Sequence, residues 1–411
     1  MYGLIGEKLG HSFSKEIHES LFGYDYSLIE IDKNSLDAFL KKRDFSAVNV
    51  TIPYKQAVIP YLSYIDPLAE KIGAVNTVVN REGKLYGYNT DAFGLSENLR
   101  VHGVCVKNKK VLILGSGGTS LTAKAVCEDL GASEILRTSR SQKDGCVSYE
   151  QAKSLMPDAQ IIINTTPLGM YPNLGGMGAD IDDFPKLEAV ADSVYNPLCP
   201  LLTVKAKERG INAFGGLYML VAQAVKAGEY FCGKKISEDK TSSLFEKIFK
   251  DKQNIVLIGM PSCGKTTFGK MLSEEFDREF IDTDEAIVSR EKKAISDIFA
   301  QVGESGFRDI ESEVIKEVSK RQGVIISTGG GAVLREQNVQ FLKQNGFLVY
   351  IERPLKDLTP TADRPLSLDF EALKKRYTER EPIYSRVCDV KIKNDREIST
   401  VAADIKEAFL R

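Results

Sequence analysis

Residues 259–267 read Gly-Met-Pro-Ser-Cys-Gly-Lys-Thr-Thr and follow directly on the apolar run Ile255 to Ile258. A strand that opens into two spaced glycines, a lysine and a hydroxyl is a loop whose backbone N–H groups can converge on phosphate oxygens. Lys265 supplies positive charge for the outer phosphates and Thr266 a hydroxyl for magnesium, so this part of the chain binds a nucleoside triphosphate. Gly259, Pro261, Ser262, Cys263, Gly264 and Thr267 complete the loop, and position 263 tolerates cysteine because it contributes mainly its N–H. An ordinary glycine-rich turn into a helix would not require strand, spaced glycines and lysine to coincide. Such a loop demands an α/β layer around it.

At 411 residues the chain exceeds one ordinary core and predicts two or three domains. Lys and Arg total 55 against 57 Asp and Glu, which argues against nucleic acid or an anionic membrane as the main partner and leaves small anionic ligands. Seven cysteines without a Cys-x-x-Cys pair predict reduced thiols, no zinc site and a cytoplasmic protein. The start, Met1-Tyr-Gly-Leu-Ile-Gly6, has no basic segment followed by a long apolar one, and no run reaches membrane-spanning length. A homo-oligomer stays open.

Upstream of the phosphate loop, apolar runs at Leu4-Ile5, Leu28 to Ile31, Ala47 to Ile52, Val111 to Leu114, Ile135-Leu136 and Ile161 to Ile163 alternate with helical patterns. Downstream, Phe280-Ile281, Val324 to Ile326 and Phe347 to Ile351 continue the alternation, which is the signature of parallel α/β layers. The polar stretch Ile236 to Asn254, with Leu244, Phe245 and Ile248 at helical spacing, predicts a closing helix and a short linker.

A second nucleotide motif follows Val111 to Leu114: Gly115-Ser-Gly117-Gly118-Thr119-Ser120, a helical stretch, and another strand. That order predicts a dinucleotide turn, with a purely structural turn as the alternative. The second strand ends in Arg137-Thr-Ser139-Arg140-Ser141 with no acidic residue to grip a ribose hydroxyl, so NADP is favoured over NAD.

Polar residues cluster where strands end: Ser12 and Ser14, Thr51 and Lys55, Asn76, and Asn89-Thr90-Asp91. In an α/β domain such ends meet at a ligand crevice, and these groups suit a small polyhydroxylated acid. Lys55 could donate a proton to a carbonyl oxygen that gains charge as hydride arrives, with Asp91 holding the ammonium. Read otherwise, the asparagines are turn residues, the serines a helix cap and Lys55 a surface charge. In the C-terminal part, Asp282-Thr-Asp284 predicts two carboxylates on one face of a strand end, one for magnesium and one for a substrate hydroxyl. Arg308, Arg364 and Arg380 offer planar forks for carboxylate or phosphate, and Gly329 to Gly331 allow close backbone approach. Taken singly, these arginines read as surface residues and the glycines as a loop.

The pieces His11-Ser-x-Ser14, Asn49-Val-Thr-Ile-Pro-Tyr-Lys55, Gly73-Ala-Val-Asn-Thr77, Asn89-Thr-Asp91, Gly115-x-Gly-Gly118, Asn164-Thr-Thr-Pro-Leu-Gly-Met170 and Met219-Leu-Val-Ala-Gln223 span most of residues 1–235. Together they resemble shikimate dehydrogenase, which reduces 3-dehydroshikimate with NADPH. The resemblance implies that Ser12, Ser14, Thr51, Asn76, Tyr195 and Gln223 contact substrate and that Lys55 with Asp91 is the catalytic pair. It also implies NADP contacts from Gly115, Gly117, Gly118, Thr119, Ser139, Arg140 and Met219, with Arg140 on the 2′-phosphate. Ser139-Arg140-Ser141 stands where Asn-Arg-Thr is usual, and Tyr218 where a glycine is common.

Over residues 252–411 the phosphate loop, Phe280 to Asp284, Gly303 to Arg308, Ser327 to Gly331, Asp363 to Leu366 and Glu379 to Tyr384 resemble shikimate kinase. That resemblance implies that Asp284, Arg308, Gly329, Gly330, Gly331 and Arg380 bind shikimate and that Asp282 and Thr266 order magnesium. Lys265 and Arg364 would stabilise the transferring phosphoryl group, with Arg364 on a short lid, Leu358 to Arg364, that lacks an upstream arginine. The expected architecture is an α/β substrate domain (1–100 with about 215–250), a Rossmann-type NADP domain (101–214), and a P-loop domain of nucleoside monophosphate kinase type (251–411). The expected activity is bifunctional, using NADP(H), ATP and Mg2+. Quinate oxidation by the first half is an alternative, and a regulator built from inactive copies a remoter one.

Overall fold

The computed structural model describes residues 1–10, 12–141, 145–358 and 370–411. Two compact units divide the chain: Met1–Met170, Gly176–Asn196 and Lys205–Lys247 form one, and Tyr171–Gly175, Pro197–Val204 and Ile248–Arg411 the other.

The first unit opens with β1 (Tyr2–Gly6), α1 (Ser14–Phe22), β2 (Tyr26–Glu30), α2 (Leu36–Lys42), β3 (Ala47–Val50), β4 (Tyr64–Ile65), α3 (Pro67–Ile72), β5 (Thr77–Arg81), β6 (Lys84–Tyr88) and α4 (Thr90–Val101). Its strands make one mixed sheet in the order β2-β1-β3-β5-β6-β4, with β1 parallel to β2 and β3 and antiparallel pairs β3 with β5 and β5 with β6. A second sheet is built from β7 (Lys110–Leu114), α5 (Gly118–Asp129), β8 (Glu134–Thr138), α6 (Tyr149–Leu155), β9 (Ile161–Asn164), β10 (Ala189–Asp192), α7 (Leu201–Glu208) and β11 (Asn212–Phe214). Its order, β11-β10-β9-β7-β8, is parallel throughout and reverses direction between β7 and β9. A reversal of this kind leaves a crevice at the carboxyl ends of the strands. Runs such as Ile161-Ile-Ile163 are apolar without alternation because both faces of a parallel sheet are covered.

The helix α8 (Leu217–Cys232) returns to the first sheet: Ala227 and Phe231 share a core with Leu4, Leu9 and Tyr26. Gly94 of α4 and Gly228 of α8 permit this approach, since a Cβ would lie 2.5 Å from the Met219 carbonyl oxygen at the first and 2.1 Å from the Phe22 ring at the second. The polar stretch forms α9 (Glu238–Lys252), so the linker before the next strand is the single residue Gln253. Thr241, Leu244 and Ile248 are its buried positions.

In the second unit β12 (Asn254–Ile258), α10 (Lys265–Phe276), β13 (Phe280–Asp282), α11 (Thr283–Glu291), α12 (Ile295–Val318), β14 (Ile325–Ser327), α13 (Glu336–Asn345), β15 (Gly346–Glu352), α14 (Phe370–Val387), β16 (Val390–Lys393) and α15 (Ile398–Leu410) follow one another. The sheet runs β13-β14-β12-β15-β16, all parallel, with fully buried β12 at its centre. Central placement aims the phosphate loop out of the carboxyl edge of the sheet. No helix among the described residues is long and apolar enough to cross a membrane. All seven cysteines are free thiols.

His18 is fully buried, its ring stacked 4.2 Å from that of Tyr26 and its Nδ1 2.6 Å from the Tyr24 hydroxyl. Burial lowers its pKa to about 3, against 6.5 when exposed. The unfolded chain therefore takes up a proton below pH about 6.5 that the folded chain refuses, and stability is lost as pH falls from there toward 3. Between pH about 7.5 and 5 the loss is about 2 kcal/mol. Urea unfolding of wild type and His18→Phe at the two values should show that difference in pH dependence; parallel curves would place the protonation elsewhere.

Candidate active sites

In the first unit, α4 begins where β6 ends because the Asn89 side chain caps it, accepting from the Ala92 N–H at 3.1 Å. The cap places Asp91 in the first turn, and Lys55 reaches it: Nζ lies 2.6 Å from Asp91 Oδ2, with both side chains largely buried. The other carboxylate oxygen accepts from Asn76 Nδ2 at 2.8 Å. Asn76 Nδ2 also lies 3.4 Å from Gln223 Oε1 on α8, and its Oδ1 accepts the Thr90 N–H at 2.7 Å. Lys55, Asp91, Asn76 and Gln223 thus form one bonded group. Asp91 is held at both oxygens, so it can fix the ammonium without turning.

Ser12, Ser14 and Tyr195 gather around Phe13. The Ser12 hydroxyl accepts the Ser14 N–H at 3.2 Å, and the Tyr195 ring lies 5.2 Å from that of Phe13. Phe13 is the cap residue of α1 and makes no side-chain bond, while the Ser12 hydroxyl takes up the first helical N–H, that of Ser14. Burial raises the Tyr195 phenol above its ordinary pKa. Thr51 follows β3 and packs on Gly6 at the end of β1, where a Cβ would lie 2.6 Å from its methyl group. His11 lies outside the described residues.

The glycine turn leaves β7 at Gly115, whose φ of 121° is closed to residues with a side chain and whose missing Cβ would strike Thr165 Oγ1 at 2.5 Å. Ser120 Oγ donates to the Gly115 carbonyl at 2.6 Å and holds the turn shut. Gly117 caps α5 without a side-chain acceptor and has open space at its Cβ position, so the first N–H groups of α5 face a free approach. Gly118 starts α5, and its Cβ position is 3.8 Å from Lys55 Cδ, which puts the helix end beside the Lys55–Asp91 pair. Thr119 occupies the first turn of α5. Ser139, past β8, bonds to Ser116 in the turn at 3.0 Å, and Arg140 beside it is exposed. These residues fit a dinucleotide pyrophosphate and a phosphorylated ribose. Met219 is a core residue, packed with Ala74 and Ala92.

Sequence reasoning left Asp192 without a role. It ends β10 fully buried and receives both 2.9 Å bonds from Asn164 Nδ2 at the end of β9 and one from the Val194 N–H. Burial raises its pKa to about 7. Its stabilising share is complete below pH about 4 and is lost as pH rises through 7, opposite in sign to that of His18.

In the second unit the phosphate loop turns through Gly259 and Gly264, the latter with φ of 102°. Lys265 is buried, and its Nζ donates to the carbonyls of Gly259 at 3.0 Å and Met260 at 2.8 Å. An ammonium curled over its own loop, at the amino end of a helix, already stands where phosphate charge would gather. Pro261 and Cys263 are buried, Ser262 is half-buried, and Asn394 secures the Cys263 carbonyl at 2.9 Å. Thr266 and Thr267 are exposed, and Thr266 Oγ1 lies 3.0 Å from Asp282 Oδ2. A hydroxyl and a carboxylate at that spacing fit a hydrated magnesium ion that keeps several waters.

One expectation is corrected here. Asp282 and Asp284 do not share a face of a strand end: β13 stops at Asp282, which caps α11 by accepting the Asp284 N–H at 2.9 Å. An aspartate followed by a helical stretch is a strong cap, and capping outweighs strand pleat. Asp284 therefore projects from the first turn of α11. Its Oδ1 is 2.6 Å from the Cβ position of Gly329, so any side chain there would displace the carboxylate.

The rest of the acceptor site closes around that glycine triplet. Arg308 is buried against Gly331, whose Cβ would overlap the guanidinium at 2.2 Å, and bonds Glu311 at 2.6 Å. Its buried Nε has no partner among the described residues. Arg380, also buried, donates to the Gly330 carbonyl at 3.1 Å. Two buried guanidiniums beside one aspartate suit a small hydroxy acid. Glu311, raised in pKa by burial, was not foreseen; its only sequence signal is its place one turn after Arg308. Arg364 and lid residues 359–364 lie outside the described residues.

Residues 4–78 match the shikimate dehydrogenase substrate binding domain family, and residues 261–409 match the shikimate kinase family. The chain is 35% identical over 266 residues to a shikimate dehydrogenase (NADP(+)) of Clostridium perfringens, covering 60% of this chain and 98% of that one. A chorismate mutase/shikimate 5-dehydrogenase fusion protein from Clostridium acetobutylicum is similar at 36% identity and a TM-score of 0.57, covering 60% of this chain and 96% of that one. A quinate dehydrogenase from Corynebacterium glutamicum in complex with NAD is similar at 28% identity and a TM-score of 0.53, covering 60% and 98%.

Proposed function

We infer the activity from the premise that the chain belongs to the shikimate dehydrogenase family and carries a shikimate kinase domain at residues 261–409. It reduces 3-dehydroshikimate to shikimate with NADPH and phosphorylates shikimate to shikimate 3-phosphate with Mg-ATP. One observation carries this reading: both families meet in one chain, and the product of the first is the substrate of the second.

In the first site NADPH supplies the hydride. Lys55 Nζ, oriented by Asp91, gives a proton to the ring carbonyl oxygen as charge develops on it, while Asn76 and Gln223 hold ring hydroxyls. Ser12, Ser14, Thr51 and Tyr195 bind the rest of the acid. In the second site Mg-ATP supplies the phosphoryl group. Asp284 accepts the proton of the attacking hydroxyl, Arg308 and Arg380 grip the carboxylate, and Lys265 and Arg364 stabilise charge on the transferring group. The substrates are small molecules. The near-balanced charge supports a partner set without nucleic acid or membrane, and the cysteines without a Cys-x-x-Cys pair support a cytoplasmic enzyme.

Incubating the purified chain with 3-dehydroshikimate, NADPH and Mg-ATP and quantifying products by mass tests the reading. Shikimate 3-phosphate is expected. Shikimate accumulating alone would overturn the kinase half, and absence of both products would overturn the whole. The similarity to a quinate dehydrogenase favours a second reading in which the first site also oxidises quinate, and kcat/KM on the two acids decides it. Arg140→Ala should raise KM for NADPH about tenfold and leave NADH within about twofold, because it removes a charge-assisted contact to the 2′-phosphate. Equal losses would reassign Arg140 to structure.

A further inference from the structure

Tyr384 belongs to α14, is fully buried, and donates its hydroxyl to the Gly330 carbonyl oxygen, the same atom that accepts from Arg380 Nη1 at 3.1 Å. Its ring stacks 5.1 Å from that of Tyr350 on β15, the strand beside β12, so the phenol is set from the sheet rather than from the loop. Burial raises its pKa far above neutral, which keeps the hydroxyl a donor at any working pH. Gly330 is also the point where the glycine triplet meets the phosphate loop: its Cβ position lies 2.8 Å from Pro261 Cδ. The Tyr384 hydroxyl is 4.0 Å from Met260 Sδ in the same loop.

We propose that Tyr384 is a positioning residue for phosphoryl transfer: by fixing the Gly330 carbonyl it orients Arg380 and holds the acceptor site in register with the phosphate loop at Pro261. Without the hydroxyl, the Gly330 carbonyl keeps Arg380 alone as donor among the described residues, and the guanidinium and glycine triplet can shift together. The two neighbours of Gly330 have fixed roles, since Gly329 faces Asp284 and Gly331 faces Arg308. A shift at Gly330 therefore reaches every acceptor-binding group, while Lys265 and Thr266 keep their own bonds to the loop and to Asp282.

The proposal rests on shikimate as the acceptor, and two measurements on Tyr384→Phe separate its failure from the failure of that reading. Phenylalanine keeps the buried ring and removes one donor, so the fold is retained. In steady-state assays the variant should raise KM for shikimate about tenfold, one hydrogen bond's worth, with KM for ATP within about twofold. Placed in an Arg380→Lys background it should add little, because both changes act on one carbonyl. Unchanged KM for shikimate, equal rises for both substrates, or full additivity would overturn the proposal. The second measurement needs no acceptor: the Ala332 amide, bonded to the Gly329 carbonyl at 3.1 Å, should exchange its hydrogen about tenfold faster in the variant. Unchanged exchange there overturns the proposal even if shikimate is the wrong substrate, and wild type inactive on shikimate overturns only the substrate reading.

Discussion

Replacing Lys55 by methionine should lower kcat for reduction of 3-dehydroshikimate about a thousandfold and leave phosphorylation of shikimate unchanged. Lys55 Nζ sits 2.6 Å from Asp91 Oδ2, and its side chain is 16% exposed, so methionine fills its volume without meeting bulk water. The chemical loss is that of a positioned general acid, typically 10²- to 10⁴-fold. Asp91 would remain held by Asn76 at 2.8 Å, so the fold should survive. The effect belongs in kcat more than in KM, because the proton moves only as the carbonyl oxygen gains charge. Rates with both substrate pairs on one preparation check this. A loss under about tenfold would make Lys55 a binding residue, and loss of both activities in a folded protein would contradict separate sites.

The contrast between Lys55 and Glu311 shows what could be read from sequence and what could not. Strands such as β7, β9, β12 and β15 were legible as apolar runs because a covered parallel sheet needs apolar residues on both faces. The two glycine turns were legible because each ties a local backbone requirement to a strand before it and a helix after it. Lys55 and Asp91 drew attention as lone charges among hydroxyls and amides. The tie from Asn76 to Gln223 spans 147 residues, and its geometry depends on α8 packing against α4, which no local pattern states. The Asp282 cap was misread because a carboxylate pair at alternate positions fits a strand as well as a helix start, and the choice is made by where the sheet ends. Glu311 and Asp192 were missed, and Tyr384, named only as the end of the Glu379 to Tyr384 motif, was given no role. Asp192 and Tyr384 are made safe to bury by partners distant in sequence, whereas Glu311 bonds Arg308 three residues before it, a spacing that an exposed surface pair would share.

Lys265→Met gives the complementary result: phosphorylation should fall about a thousandfold while dehydroshikimate reduction is untouched. Removing one preorganised donor aimed at developing charge costs about 10²- to 10³-fold, and this donor also carries a full positive charge. Its Nζ bonds the carbonyls of Gly259 and Met260, so beside its charge on phosphate the lysine also closes its own loop. Methionine therefore leaves two carbonyls short of a donor, at a stability cost of about 1–3 kcal/mol. That cost confounds a simple activity assay, and the dehydrogenase rate resolves it, because an intact first unit reports that the chain is made and soluble. Calorimetric titration with ADP then separates the two roles of the lysine. If Lys265 acts mainly on the transferring group, ADP affinity should fall far less than kcat. If affinity and kcat fall in step, Lys265 is instead a residue that shapes the loop, and charge stabilisation during transfer must come from other residues.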